Sequence, residues 1–308
     1  MVDLTSILHT DATLKACDDA FVEKMNAEKP RPYLGASSIG ENCNRKLWFR
    51  FRWCREVFDA PTLKRFRDGH ITEQTVVNQL SLKFPVTDTQ WGFNDIDNHF
   101  SGHIDGVISG ILEAPKTPHV LEVKAVSDKK FNELKKAKAE LGEKLAIRKW
   151  NPTYHAQIVL YMFYRGLTRS FHVVATAGGR DWMSVRTEAD NTFAQTLIEK
   201  AKRIIYANDA PASLPIDSFD CRYCGLRDVC REKKLPDRTC RTCVHSTPAG
   251  QGLWQCALHK MPMDYNEQLA GCPSHAYLPV FVNGEITSVE ENTIVYRMAD
   301  GSLWRDGK

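Results

Sequence analysis

The stretch HVLEVKAV, residues 119–126, decides how the chain is read. Its Val and Leu content predicts a strand. Strand alternation then places Leu121, Val123 and Ala125 on one face and Val120, Glu122, Lys124 and Val126 on the other. An acid and a base share one face of an otherwise apolar element, which alone reads as an ordinary ion pair at a sheet edge. The preceding stretch, SGHIDGVI at 101–108, changes that reading. It sets Asp105 among apolar residues next to Gly106, where a second strand can lie beside the first, so that two carboxylates and an ammonium meet in one pocket. Facing carboxylates repel, and a divalent cation relieves the repulsion; oxygen ligands of this kind suit Mg²⁺ or Mn²⁺. An ammonium beside them can hold an attacking water or stabilise charge building on a phosphate. The chemistry this set describes is metal-dependent phosphodiester hydrolysis.

The whole chain sets bounds on that reading. At 308 residues it is long enough for one sizeable core plus a smaller appended module. No apolar run approaches the roughly 20 residues of a membrane span, and the acidic start, MVDLTSILHTDATLKACDDA, lacks the basic and apolar regions of a secretory leader. A cytoplasmic protein is expected, in the host cytoplasm if the gene belongs to a phage. The net charge of +3 does not by itself announce a nucleic-acid binder. Ten cysteines are present and seven fall between 221 and 272, a clustering that in a reducing compartment reads as metal ligation.

Helical periodicity is expected at 12–28, from a cap at Ser37 or Ser38 through IGENCNRKLWFRFRWCR, and over TLKRFRDGHITEQTVVNQLSLKF. Residues 89–126 carry the short alternating runs and turn residues of a meander. Helices at about 128–147 and 151–165, strands in SFHVVATA and WMSVRTE, and a helix at 190–207 follow. The last 30 residues read as a small β module. The expected class is α/β (α+β), a mixed sheet flanked by helices, with a cysteine-rich module and a β tail.

Further motifs fall in a fixed order around the two strands: FRDGHITEQ before them, and QIVLY, from Gln157 to Tyr161, after them on one helix face. SSIGENCNRKLW near the start and CRYCGLRDVC near the end contribute cysteines. Together these resemble the PD-(D/E)XK nuclease superfamily, in particular its RecB-like branch, which includes the CRISPR-associated iron–sulfur exonucleases and the AddB nuclease. The resemblance implies a restriction-endonuclease-like sheet. It implies His70, Asp105, Glu122 and the Val123 carbonyl as metal ligands and Lys124 as the charge-stabilising or base-positioning group, with Gln157 and Tyr161 orienting the lysine or touching the DNA backbone. It also pairs Cys43 with Cys221, Cys224 and Cys230 in a four-thiolate site for a 4Fe-4S cluster.

The four remaining clustered cysteines, Cys240, Cys243, Cys256 and Cys272, have spacing that fits structural Zn²⁺. A second division stays open: Cys221, Cys224, Cys240 and Cys243 form a zinc-ribbon spacing of their own, which leaves Cys256 and Cys272 to recruit His245, His259 or His275. Cys17 and Cys54 read as unligated small apolar side chains. RKLWFRFRWCR, 45–55, interleaves cations and aromatics. It is either a core stripe with a solvated charged face, or a DNA rim in which Arg45, Arg50 and Arg52 track phosphates and Trp48 stacks on an unpaired base.

The sequence therefore predicts a Mg²⁺- or Mn²⁺-dependent DNA exonuclease acting on free ends, on single-stranded or resected DNA, alongside an annealing protein or helicase. The alternatives are a structure-specific endonuclease and a non-catalytic zinc-containing DNA-binding protein. The expected organisation is a nuclease domain over 1–235 closed by the first cysteine site, a zinc module over 236–278 and a β module over 279–308. Oligomeric state is not readable.

Overall fold

A computed structural model describes residues 11–307 of the chain. Residues 1–10, on which the reading of the N-terminus partly rests, and Lys308 lie outside the described residues. The chain order is α1 (Ala12–Asn26), β1 (Leu34–Gly35), α2 (Asn44–Phe51), α3 (Ala60–Ser81), β2 (Val86–Thr87), β3 (Gly92–Asp95), β4 (Phe100–His103), β5 (Gly106–Ile108) and β6 (His119–Val126). Helices α4 (Asp128–Leu141), α5 (Glu143–Trp150) and α6 (Pro152–Arg165), strands β7 (Arg169–Thr176) and β8 (Trp182–Glu188), and α7 (Asn191–Ile205) follow.

The main sheet runs β2-β5-β6-β7-β8. Strands β6 and β7 are parallel, joined by the crossover α4–α6, and the other pairs are antiparallel, so the sheet is mixed as expected. One face, with Leu121, Val123, Phe171 and Val173, packs on Val76, Val77 and Leu80 of α3. The other, with Val120 and Val174, packs on α6 and α7 in the main core. The alternation read from residues 119–126 holds, and Glu122 and Lys124 look toward α6.

Local signals explain the helices that frame this face. Asn151 caps α6 by accepting from the Thr153 and Tyr154 N–H groups, Pro152 opens it, and Gly166 ends it in the left-handed region. The helix expected over 128–147 is broken at Gly142, whose φ of 74° no side chain other than glycine adopts readily. The helix expected to start at Ser37 or Ser38 is also corrected. A single 3₁₀ turn covers Ala36–Ser38, and α2 starts only after Cys43. The intervening loop presses on α6: a Cβ on Gly40 would stand 2.6 Å from Thr153 Cα and 2.9 Å from Ala156 Cβ. Gly40→Val is therefore expected to cost about 1–3 kcal/mol by overpacking, read as a lower denaturant midpoint with an unchanged slope.

Beyond α7 come two short helical turns, α8 (Phe219–Arg222) and α9 (Arg227–Arg231), and a sheet of β9 (Ser246–Pro248), β10 (Trp254–Cys256) and β11 (Met261–Met263) with α10 (Tyr265–Ala270). A meander of β12 (Gly284–Glu290), β13 (Thr293–Met298) and β14 (Leu303–Asp306) completes the chain, as its sequence predicts. These segments do not stand apart from the rest. Trp254, Phe281 and Tyr296 belong to the same hydrophobic cluster as Trp48, Phe49 and Leu160. Among the described residues no helix is long and apolar enough to cross a membrane.

Candidate active site

The chain leaves one sheet and enters another between β4 and β5, and Asp105 sits at that switch. Since Gly106 pairs with Leu121 across an antiparallel ladder, Asp105 arrives beside Glu122. One carboxylate oxygen of Asp105 accepts from the Val123 N–H at 2.7 Å. Glu122, 1% exposed, accepts through Oε1 from Gln157 Nε2 at 2.8 Å and from the Lys124 ammonium. Gln157 also donates to the Tyr161 hydroxyl at 3.0 Å, so the pair four residues apart on α6 acts as one bracket. The Lys124 ammonium lies 5.3 Å from the centre of the Tyr154 ring. The sequence-predicted residues Asp105, Glu122, Lys124, Gln157 and Tyr161 are thus gathered in one place.

Burial, with the Asp105 charge adding to it, pushes the Glu122 carboxyl up to about 8 even though Lys124 and Gln157 pull against that. Asp105 is likewise raised by burial to about 7; Lys124 opposes the rise and Glu73 adds to it. For Lys124 burial works against its charge, but Glu122 and Asp105 outweigh burial and hold it above the ordinary lysine range. The second Glu122 oxygen, Oε2, is buried without any hydrogen-bond partner.

Two residues were not singled out from the sequence. Glu73, on α3, is the acid that faces Asp105, whereas His70, one turn earlier, is exposed and is joined to neither Asp105 nor Glu122 by a hydrogen bond among the described residues. The Gly-His-x-x-Glu pattern contained Glu73 at its end, so the signal was present. His172 pairs in register with Glu122 on β7 and is fully buried with both ring nitrogens unpartnered. A polar residue inside the run SFHVVATA was its only sequence signal.

The cysteines divide between two cavities. Cys43, Cys221, Cys224 and Cys230 line one of them; Cys240, Cys243, Cys256 and Cys272, with His245, His259 and His275, line the other. The ribbon pairing of Cys221 and Cys224 with Cys240 and Cys243 would have to span both. No cysteine is in a disulfide. Among the described residues no three Asp, Glu, His or Cys side chains are arranged to hold a metal ion. Cys54 is buried as expected, whereas Cys17 is exposed on α1.

The DNA rim on α2 is corrected. Trp48 is fully buried and donates its indole N–H to the Ala207 carbonyl, so no face is free for a base. Arg52 is 1% exposed beneath it. Arg50 is held between Glu41 and Glu56, and Arg45 donates to the Pro211 carbonyl at 2.6 Å. The apolar stripe of this helix turned inward and took Arg52 with it, while Arg45 and Arg50 stay half-buried in contacts within the protein.

No family model matches the chain, and no curated protein is similar to it in sequence. Among solved structures it is similar to SSO0001, with TM-score 0.43 and 14% identity over 71% of this chain and 96% of that one. It is similar also to an alkaline exonuclease, LHK-Exo, from Laribacter hongkongensis, with TM-score 0.40 and 13% identity over 57% of this chain and 87% of that one. A phage-related exonuclease from Haemophilus somnus 129PT gives TM-score 0.37 and 10% identity over 52% and 77% of the two chains.

Proposed function

We propose that the chain is a divalent-metal-dependent DNA exonuclease. The observation that carries this reading is the buried, unpartnered Oε2 of Glu122 beside the Asp105 carboxylate, with the Lys124 ammonium on the opposite oxygen. A buried carboxylate oxygen with no donor calls for a partner from outside the protein, and two hard carboxylates side by side fit Mg²⁺ or Mn²⁺. Asp105, Glu122 and the Val123 carbonyl would hold the ion, with Glu73 facing Asp105 from α3. When bound, such an ion supplies Lewis-acid polarisation of a phosphodiester. Lys124 offers its ammonium to charge developing on the phosphate, and Gln157 with Tyr161 fixes the Glu122 carboxylate so that no reorganisation is needed.

The two thiol cavities have donor sets that suit a 4Fe-4S cluster on Cys43, Cys221, Cys224 and Cys230, and Zn²⁺ on Cys240, Cys243, Cys256 and Cys272. The first would tie the start of α2 to the α8–α9 turns. The proposed substrate is DNA with free ends, single-stranded or resected, with an annealing protein or helicase as partner. End-labelled linear and circular single-stranded DNA, incubated with Mg²⁺ or Mn²⁺, test the reading. Linear DNA is expected to shorten while circles survive. Cut circles would identify an endonuclease, and two intact substrates a binding protein.

A further inference from the structure

Two arginines meet at the junction of α2 and the C-terminal cysteine module, and both are sealed from water: Arg52 is 1% and Arg241 0% exposed. Arg241 lies in the 3₁₀ turn between Cys240 and Cys243. Arg52 Nη1 donates to the Arg241 carbonyl at 3.1 Å, so one guanidinium rests on the backbone of the Cys-x-x-Cys turn. Arg241 reaches back the other way, to the Phe51 carbonyl at 3.0 Å, the Pro32 carbonyl at 2.8 Å and Gln268 Oε1 at 2.9 Å. Trp48, Trp53 and Trp254 close around the pair, with Arg241 4.0 Å from the Trp53 ring and Arg52 4.4 Å from the Trp48 ring. All of these partners are neutral. Asp209, the carboxylate that faces Arg52, is exposed and forms no ion pair with it, and Arg52 Nε is buried with no partner.

Two buried cations without a buried anion are strongly unfavourable. The four thiols of Cys240, Cys243, Cys256 and Cys272 line one cavity; Arg241 lies in the turn between the first two, and Arg52 holds that turn's carbonyl. A dication on four thiolates carries two net negative charges, one for each guanidinium, whereas a site with three thiolates and a neutral histidine carries only one. We propose that the centre of the C-terminal module is a four-thiolate Zn²⁺ site that serves as the counter-ion of the buried Arg52–Arg241 pair, and through that pair holds the 30–35 segment that lines a neighbouring groove. This rests on the zinc reading above and extends it to residues outside the donor set.

The groove has a volume of about 590 Å³ and is lined by Pro30, Arg31, Tyr33 and Ser37 on one side and by Phe58 and Phe66 on the other. Its first wall hangs on the module. The Tyr265 hydroxyl donates to the Pro30 carbonyl at 2.7 Å and Arg241 to that of Pro32, while Trp53 holds the Arg31 carbonyl at 2.7 Å. Loss of the anion therefore frees the 30–35 segment.

Native mass spectrometry of the full chain first counts zinc, and Cys272→Ser is expected to lower the count by one while His259→Ala leaves it unchanged. Wild type without zinc in this module would defeat the four-thiolate reading itself, and the counter-ion with it. With zinc present, competition against a chromogenic chelator tests the arginines. Arg241→Met is expected to lose at least about tenfold in zinc affinity, Arg241→Lys to stay within about threefold because it keeps the charge, and Arg186→Met, far from the module, to match wild type. Equal affinity for Arg241→Met and wild type, or an equal fall in Arg241→Lys, overturns the counter-ion role. Should Arg241→Met fail to fold, amide exchange on the wild-type protein decides. Zinc removal is expected to speed exchange at residues 30–35 at least about tenfold, and unchanged exchange there overturns the proposal.

Discussion

Lys124→Gln, Asp105→Asn and Glu122→Gln are each expected to lower Mg²⁺-dependent degradation of linear DNA by at least about 10²–10³-fold, with far-ultraviolet circular dichroism unchanged. The three act on one cluster. Asp105 and Glu122 carry the carboxylates proposed to hold the cation, and the Lys124 ammonium donates to the Glu122 carboxylate. Their effects should not add, because removing any one dissolves the arrangement that the others serve. The double variant Asp105→Asn/Lys124→Gln is therefore expected to be about as slow as the slower single variant. Glutamine and asparagine keep volume and hydrogen bonding, which separates chemistry from packing. If Lys124→Gln degrades DNA at the wild-type rate, the active-site assignment is wrong even though the residues meet.

The metal-free protein is expected to lose stability as pH rises from about 4 to 8, and Asp105→Asn is expected to remove part of that loss. Burial raises both carboxyls, Asp105 to about 7 and Glu122 to about 8. A group whose folded value lies above its unfolded one stabilises the fold below the ordinary carboxyl range, and that contribution is lost as pH climbs through the folded value. Here the loss runs from about 4 to about 8. Lys124, held above the ordinary lysine range, stays charged throughout the window and does not change the sign. At pH 8 Asp105→Asn relieves repulsion from Glu122 and Glu73 and retains an oxygen for the Val123 N–H. A gain on the order of 1–2 kcal/mol is expected, about 3–5 °C in melting temperature. Mg²⁺ or Mn²⁺ is expected to raise the wild-type melting temperature more at pH 8 than at pH 5.5, since protons compete for the same oxygens. A pH-independent melting temperature in chelator would refute the buried like-charge pair.

Much of the fold was legible because the decisive signals are local. Period-two alternation in residues 119–126 fixed which side chains share a face, and caps, prolines and turn residues bounded α6 and the C-terminal meander. The spacing of Gln157 and Tyr161 placed both on one side of a helix whatever that helix packed against. The misreadings fell where a neighbour in space decides. Gly40 against Thr153 broke the early helix, and the closure of Trp254 and Phe281 over α2 turned a supposed DNA rim into core.

The sequence by itself determined that Glu122 and Lys124 share a strand face and Gln157 and Tyr161 a helix face, and the cysteine spacings, because covalent spacing and backbone period are enough to fix those. Only the tertiary structure decided that Glu73 rather than His70 faces Asp105, that Glu122 Oε2 lies buried without a partner, and that Arg52 and Arg241 are sealed against the cysteine module. Burial and desolvation depend on what covers a residue, and the covering elements come from distant parts of the chain.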